Sequence, residues 1–216
     1  MNPYYIETFD IPEAWYSLLN LCVEQGRDYK IDKGSYEGQY RKELDYITFK
    51  INKPSFRPII PLIPTELGLQ PPTDMDYVNR YFEEYLLSPS VAENETYTYG
   101  SRINISLFQV IDMLKNTPST NQAIIQIGQP EDINISDPAC LRHVDCRILD
   151  GKLHFIIYFR SWDLWGGLPG NLAGLQLLKE FMVEQISCED GCMICSSKGL
   201  HLYDYAWEFA KKRVYK

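Results

Sequence analysis

The chain has 216 residues, 45% hydrophobic and 23% charged, an ordinary globular composition that excludes a disordered or collagen-like polymer. Its 29 acidic side chains outnumber 21 basic ones, and the formal net charge of -8 argues against nucleic-acid or anionic-membrane partners. One domain spanning residues 1–216 is expected, long enough to bury a full core without disulfides.

The opening Met-Asn-Pro-Tyr-Tyr lacks the basic and apolar regions of a secretory leader. No apolar run approaches the ~18 residues of a membrane span. A cytoplasmic, reducing location is therefore expected. The six cysteines (Cys22, Cys140, Cys146, Cys188, Cys192 and Cys195) should be free, catalytic or metal-bound.

Helical spacing of Ile11, Trp15, Leu18, Leu19, Cys22 and Val23 predicts a first helix, with Asp10 as N-cap and Pro12 in its first turn. Ile47, Phe49 and Ile51 alternate as in a half-buried strand. The proline-rich stretch 54–73 reads as an extended loop. A second amphipathic helix covers about 74–87, with Tyr77, Val78, Tyr81, Phe82, Tyr85 and Leu86 on one face. A third covers about 106–115, and residues 123–127 read as a buried strand.

Residues 140–149 and 152–160 both have strand character, and Asp150-Gly151 between them is a strong two-residue hairpin signal. With Leu149 facing Lys152, Cys140 falls opposite Ser161 and Leu141 opposite Arg160. The hairpin thus brings a thiol and a guanidinium to the same open end. A cation there would lower the thiol pKa and favour a nucleophilic thiolate. A long helix over about 171–186 follows, with Asn171 as N-cap, then a short strand near 192–196 and a helix near 203–213.

Cys188-x3-Cys192-x2-Cys195 has the spacing of a radical-enzyme iron–sulfur site, and His201 would be the nearest fourth ligand for zinc. A strand reading sends Cys192 and Cys195 to opposite faces, so no metal is assigned. His143 and His154 lie within predicted strands and read as structural. His201 falls in a turn between strand and helix, where function concentrates.

Pro138-Ala139-Cys140, Arg160-Ser161-Trp162-Asp163, Gly167-Leu168-Pro169-Gly170-Asn171 and His201-Leu202-Tyr203 occur in this order. Together with Tyr99-Gly100 and Arg102, they resemble the thymidylate synthase family in its short archaeal, methanogen-type form. The resemblance implies a mixed α/β (α+β) sheet flanked by helices, a homodimer joined through the sheet face, and C5 methylation of dUMP to dTMP. Cys140 would add to C6 of the pyrimidine. Arg160 and Ser161 would hold the phosphate, with Arg160 also facing the thiolate. Asn171 would pair with N3 and O4, and its amide, unlike the Asp of related cytosine hydroxymethylases, suits uracil. His201 and Tyr203 would hold the 3′-hydroxyl, Asp163 the pterin, and Tyr99 the water network that removes the C5 proton. The co-substrate would be 5,10-methylene-tetrahydrofolate or methylene-tetrahydromethanopterin.

Thr120-Asn121-Gln122-Ala123 stands where the family usually carries two phosphate-binding arginines, and the family's proton-relaying glutamate has only Glu66 as a counterpart. The resemblance also admits a pyrimidine-nucleotide 5-hydroxymethylase. A reading of another class is a non-catalytic nucleotide-binding or iron–sulfur protein.

Overall fold

The computed structural model describes residues 1–34 and 36–215. Strand β1 (Pro3–Thr8) leads into helix α1 (Ile11–Gln25), whose first turn is capped as expected: Asp10 accepts the Glu13 N–H at 2.9 Å. The apolar side of α1, from Ile11 to Cys22, is fully buried. Strands β2 (Arg27–Lys30), β3 (Tyr40–Leu44) and β4 (Tyr46–Ile51) follow, and Ile47, Phe49 and Ile51 all point into the core. The proline-rich stretch is a loop with one 3-10 turn, Thr65–Leu67, on which Glu66 is exposed.

Helix α2 (Met75–Arg80) is capped by Asp74, which accepts the Tyr77 N–H at 2.7 Å. It passes into a π-helical segment, Tyr81–Leu87, so the expected continuous α-helix is widened over its second half. Next come α3 (Tyr99–Ile103), α4 (Leu107–Asn116), β5 (Ile124–Gln126), β6 (Leu141–Leu149), β7 (Lys152–Phe159) and β8 (Trp162–Asp163). Helix α5 (Leu168–Ile186), β9 (Glu189–Ser197), β10 (Leu200–Tyr203) and α6 (Trp207–Tyr215) complete the order.

Three expectations need correction. Helix α5 starts at Leu168, with Gly167 in the cap position, so Asn171 lies inside the first turn rather than capping it. Pro169 explains the earlier start, since its fixed φ suits the first helical positions. The 123–127 strand is a sheet edge with one buried face: Ala123, Ile125 and Ile127 are buried while Ile124 is 38% exposed. His201 is within β10, not in a turn.

The strands form a six-stranded mixed sheet, β1-β4-β9-β7-β6-β5, and a four-stranded one, β2-β3-β10-β8. Helix α5 lies against β7 and β9 of the larger sheet, with α1 and α4 beside it. The chain passes from one sheet to the other three times with almost no loop: through Asp45, through Arg160-Ser161 and through Lys198-Gly199. Two of these corners are tied together by the Trp162 N–H, which donates to the Gly199 carbonyl at 2.9 Å.

The hairpin of β6 and β7 closes through Asp150 and Gly151, both at positive φ (52° and 74°), as a primed turn requires. Leu149 pairs with Lys152 and the register runs unbroken to His143 opposite Tyr158. There a β-bulge intervenes. Leu141 pairs with Phe159, and Cys140 consequently faces Arg160, one residue away from the expected Ser161. Arg142 is the extra residue. Its carbonyl accepts two N–H groups, from Ile127 (3.0 Å) and Gly128 (2.7 Å). Its guanidinium lies over Gly128, where any side chain would collide with it at 2.4 Å.

The bulge is held by Asp132, which is buried. Arg102 donates to both of its carboxylate oxygens (3.0 and 2.7 Å), Arg142 donates to one, and the Gln129 N–H adds a fourth bond at 3.1 Å. Burial alone would raise the carboxyl pKa, but the hydrogen bonds from Arg102, Gln129 and Arg142 outweigh it and hold the group at about 2. Removing Asp132 leaves a buried Arg102 without its counter-charge. Asp132→Ala should therefore cost about 3–5 kcal/mol in urea unfolding at neutral pH. A loss under about 1 kcal/mol would show that the cluster does not hold the bulge.

Candidate active site

Cys140 stands just before β6, partly exposed, and its neighbourhood is built from backbone bonds. Its carbonyl accepts the Arg160 N–H at 2.8 Å, and the next residue, Leu141, donates its N–H to the Tyr99 hydroxyl at 3.2 Å. The Arg160 side chain folds back onto the three residues that precede Cys140. Its Nε donates to the Ala139 carbonyl at 3.2 Å, Nη2 donates to Pro138, and Nη2 lies 3.7 Å from an Asp137 carboxylate oxygen. Tyr97 secures the same turn by donating to the Asp137 carbonyl at 3.2 Å, and the Arg102 guanidinium lies 4.0 Å over its ring.

The hairpin thus delivers the expected thiol–guanidinium neighbourhood, but not the expected ionisation. Burial pushes the Cys140 pKa up, Arg160 and Arg142 pull it down, and Asp137 pushes it up again; the net direction is upward. Desolvation of the thiolate outweighs the cations in the free protein.

Asn171 projects from the first turn of α5 between two partners. Its Oδ1 accepts from Trp162 Nε1 at 3.0 Å, and its Nδ2 donates to the Tyr81 hydroxyl at 3.0 Å. Two glycines one turn apart make this possible. A methyl group at Gly170 would strike the Tyr77 ring at 2.9 Å, and one at Gly174 would strike the Tyr81 ring at 2.5 Å. The stripe Tyr77-Tyr81-Tyr85, read from sequence as a core face, is a stack: ring centroids are 6.0 and 5.5 Å apart, and Tyr85 then meets Tyr99 edge-on at 5.2 Å. This stack, with Tyr99 and Asn171, walls a cavity of about 810 Å³. A smaller, separate cavity of about 420 Å³ is lined by three cations, Arg142, Arg160 and Lys198, together with Tyr158 and Asp132.

Ser161 sits at the corner beside Gly199, whose missing side chain would come 3.5 Å from the Ser161 Cα. His201 is 2% exposed; its Nδ1 lies 2.8 Å from the Gly199 carbonyl, while the buried Nε2 has no partner among the described residues. Burial pushes its pKa down to about 4, so the ring is neutral at pH 7. Tyr203 packs edge-on against His201 at 4.5 Å and stacks on Tyr36 at 4.1 Å. Asp163, on β8, accepts the Trp165 and Gly166 N–H groups on one oxygen (3.0 and 3.2 Å) and the Tyr205 hydroxyl on the other (3.4 Å). Burial raises its pKa against those bonds.

The second cysteine cluster is spread out. Cys192 faces the outer side of β9 with Sγ 3.1 Å from His154 Nδ1, Cys195 is buried on the opposite face, and His201 belongs to the other sheet. The sequence alone assigns no site role to Arg142, Lys198, Trp162 or Tyr81. For Tyr81 a signal existed: small residues at 170 and 174 leave a flat strip on α5 that an aromatic ring can cover.

A model of the family described as Thymidylate synthase matches residues 92–216. The protein of Methanosarcina acetivorans named "Putative thymidylate synthase" is 30% identical over 97% of this chain and 94% of its own length. A protein of the same description from Methanothermobacter thermautotrophicus is 25% identical over 98% of both chains. The thermostable thymidylate synthase A from Bacillus subtilis superimposes with a TM-score of 0.64 over 96% of this chain and 84% of that one, at 14% identity, and so shares the fold. The chain belongs to the thymidylate synthase family, and its full-length relatives in methanogens support the short archaeal branch.

The balance at Cys140 has a direct readout in alkylation by iodoacetamide, followed at the Cys140 peptide. The rate should rise with an apparent pKa above that of an ordinary cysteine. Arg160→Gln should move that pKa up and Asp137→Asn should move it down. A wild-type pKa below the ordinary value would contradict the balance.

Proposed function

We propose that the protein methylates C5 of dUMP to give dTMP, taking the carbon from a methylene-tetrahydropterin, folate or methanopterin. The observation that carries this reading is the meeting of Cys140, Arg160 and Tyr99 at one strand end, with Asn171 on the adjoining wall. The active unit is the whole chain, 1–216, working as a dimer through the outer face of the six-stranded sheet, where Thr48, Ile156 and Tyr158 are only partly covered.

The nucleotide phosphate lies toward the smaller cavity, held by Arg160 and Ser161. Arg142 and Lys198 add cations from the same chain where the family's paired arginines are replaced by Asn121 and Gln122. In a chain of net charge -8, this is a local concentration of positive charge suited to a small anion. The neutral His201 ring keeps one unpartnered acceptor, its buried Nε2, for a sugar 3′-hydroxyl that reaches in beside Tyr203. The tyrosine-walled cavity fits a flat pterin, and Asp163 keeps acceptor capacity on the oxygen that Tyr205 touches only at 3.4 Å.

Cys140 attacks C6 as thiolate, which makes C5 nucleophilic. Tyr99, anchored on the Leu141 N–H, stays protonated, since burial and the Cys140 charge push its pKa up. It orders water beside the proton that leaves C5. When bound, the pterin supplies the one-carbon unit and, for methylation, a hydride.

With 5-fluoro-dUMP and a methylene donor, the Cys140 peptide should gain the mass of both ligands, and Cys140→Ser should not. Turnover with dUMP should raise absorbance at ~340 nm as dihydropterin forms. Product formation without that rise would replace methylation by hydroxymethylation, and absence of any adduct would refute the reading.

A further inference from the structure

We infer that Tyr81 is a catalytic hydrogen-bond donor to the C4 carbonyl oxygen of the pyrimidine, and that Trp162 sets the orientation of Asn171 that makes the site accept uracil and reject cytosine. The inference rests on the proposed function and deepens it.

Donor and acceptor capacities fix the arrangement. The Trp162 indole can only donate, so the Asn171 atom facing it at 3.0 Å is the carbonyl oxygen. That fixes the amide, and its NH2 group therefore points at Tyr81 Oη, 3.0 Å away. Tyr81 accepts that bond, and its own proton has no protein acceptor among the described residues. Tyr81 lines the large cavity with Asn171 and Tyr99, so its proton is the one a ligand seated there against Asn171 meets. Burial pushes the Tyr81 pKa well up, which keeps the group a donor.

The wall then offers three adjacent functions: the Tyr81 O–H, the second Asn171 N–H, and the remaining lone pair of Asn171 Oδ1. A carbonyl oxygen can take both donors while the neighbouring ring N–H meets the lone pair. Uracil carries that pair at O4 and N3. Cytosine carries an amine and an unprotonated nitrogen, which would face like against like at both points.

The same donors act on the reaction. As the Cys140 sulfur bonds to C6, the C5–C6 π pair shifts to C4–C5 and the C4–O4 π pair moves onto oxygen. Negative charge develops at O4, where Tyr81 and Asn171 already point. Donors placed in advance stabilise that charge without reorganisation. The glycine at 174 is part of the device, because any side chain there would displace the Tyr81 ring.

The test compares wild type, Tyr81→Phe and Trp162→Phe for kcat and KM with dUMP and with dCMP, alongside thermal unfolding. Tyr81→Phe should lower kcat for dUMP about 100-fold with KM changed less than about threefold and the unfolding midpoint nearly kept. Trp162→Phe frees the amide to turn and should narrow the preference for dUMP over dCMP about tenfold. If Tyr81→Phe does not fold, the Trp162→Phe ratio decides alone. Wild-type kcat in Tyr81→Phe, or an unchanged base preference in Trp162→Phe, would overturn the assignment while leaving the proposed reaction standing. A wild type that turns over no dUMP at all would overturn both.

Discussion

One extra residue in one strand organises this molecule's candidate site. Without the bulge at Arg142, the β6–β7 ladder would run on in the register set at the turn, and Cys140 would face Ser161. With it, the Cys140 carbonyl takes the Arg160 N–H, and the Arg160 side chain reaches back to Pro138 and Ala139. The bulge is bound on both sides: the Arg142 carbonyl receives Ile127 and Gly128, and its guanidinium meets Asp132. Because Arg102 shares that carboxylate, the same cluster anchors α3, which carries Tyr99. The thiol, the guanidinium and the phenol are therefore positioned by one buried charge network rather than by three separate elements.

The electrostatics divide the work between two walls. Around Cys140, desolvation outweighs Arg160 and Arg142, so the resting thiol is not a ready thiolate. In the proposed reaction, addition to a pyrimidine draws on stabilisation of the charge that leaves the double bond, which is the part assigned to Asn171 and Tyr81. The cations line a separate cavity, where Arg142, paired with Asp132, meets Arg160 and Lys198 in an otherwise acidic protein. One cavity suits an anionic phosphate, and the other is walled by stacked tyrosines and Asn171, with Arg80, Glu84 and Glu95 also on its lining.

Much of this could be read from residues alone, where the controlling interaction is local. Asp10 at the start of helix α1 and Asp150-Gly151 at the hairpin act within a few residues of themselves. The meeting of Cys140 with Arg160 followed from the turn. The one-residue offset did not, because the bulge is specified by contacts with residues 127–132, remote from the turn that sets the ladder. Asn171 resembled a cap because Pro169 and Gly170 precede it, yet proline is itself at home in a first helical turn. His201 has the sequence context of a turn residue, whereas it lies in β10 just past Gly199, at a corner where the chain changes sheets. The tyrosine stripe of residues 77–85 has the spacing of an ordinary core face. Only the glycines of α5, distant in sequence, turn it into a cavity wall.

The most direct test is a crystal structure of the protein with dUMP. The account predicts the Cys140 sulfur facing C6 of the base, Arg142 still bulged with Asp132 on its guanidinium, and the phosphate on the Arg160 side of the corner. A hairpin in unbroken register with Cys140 opposite Ser161, or a nucleotide bound away from this corner, would contradict it.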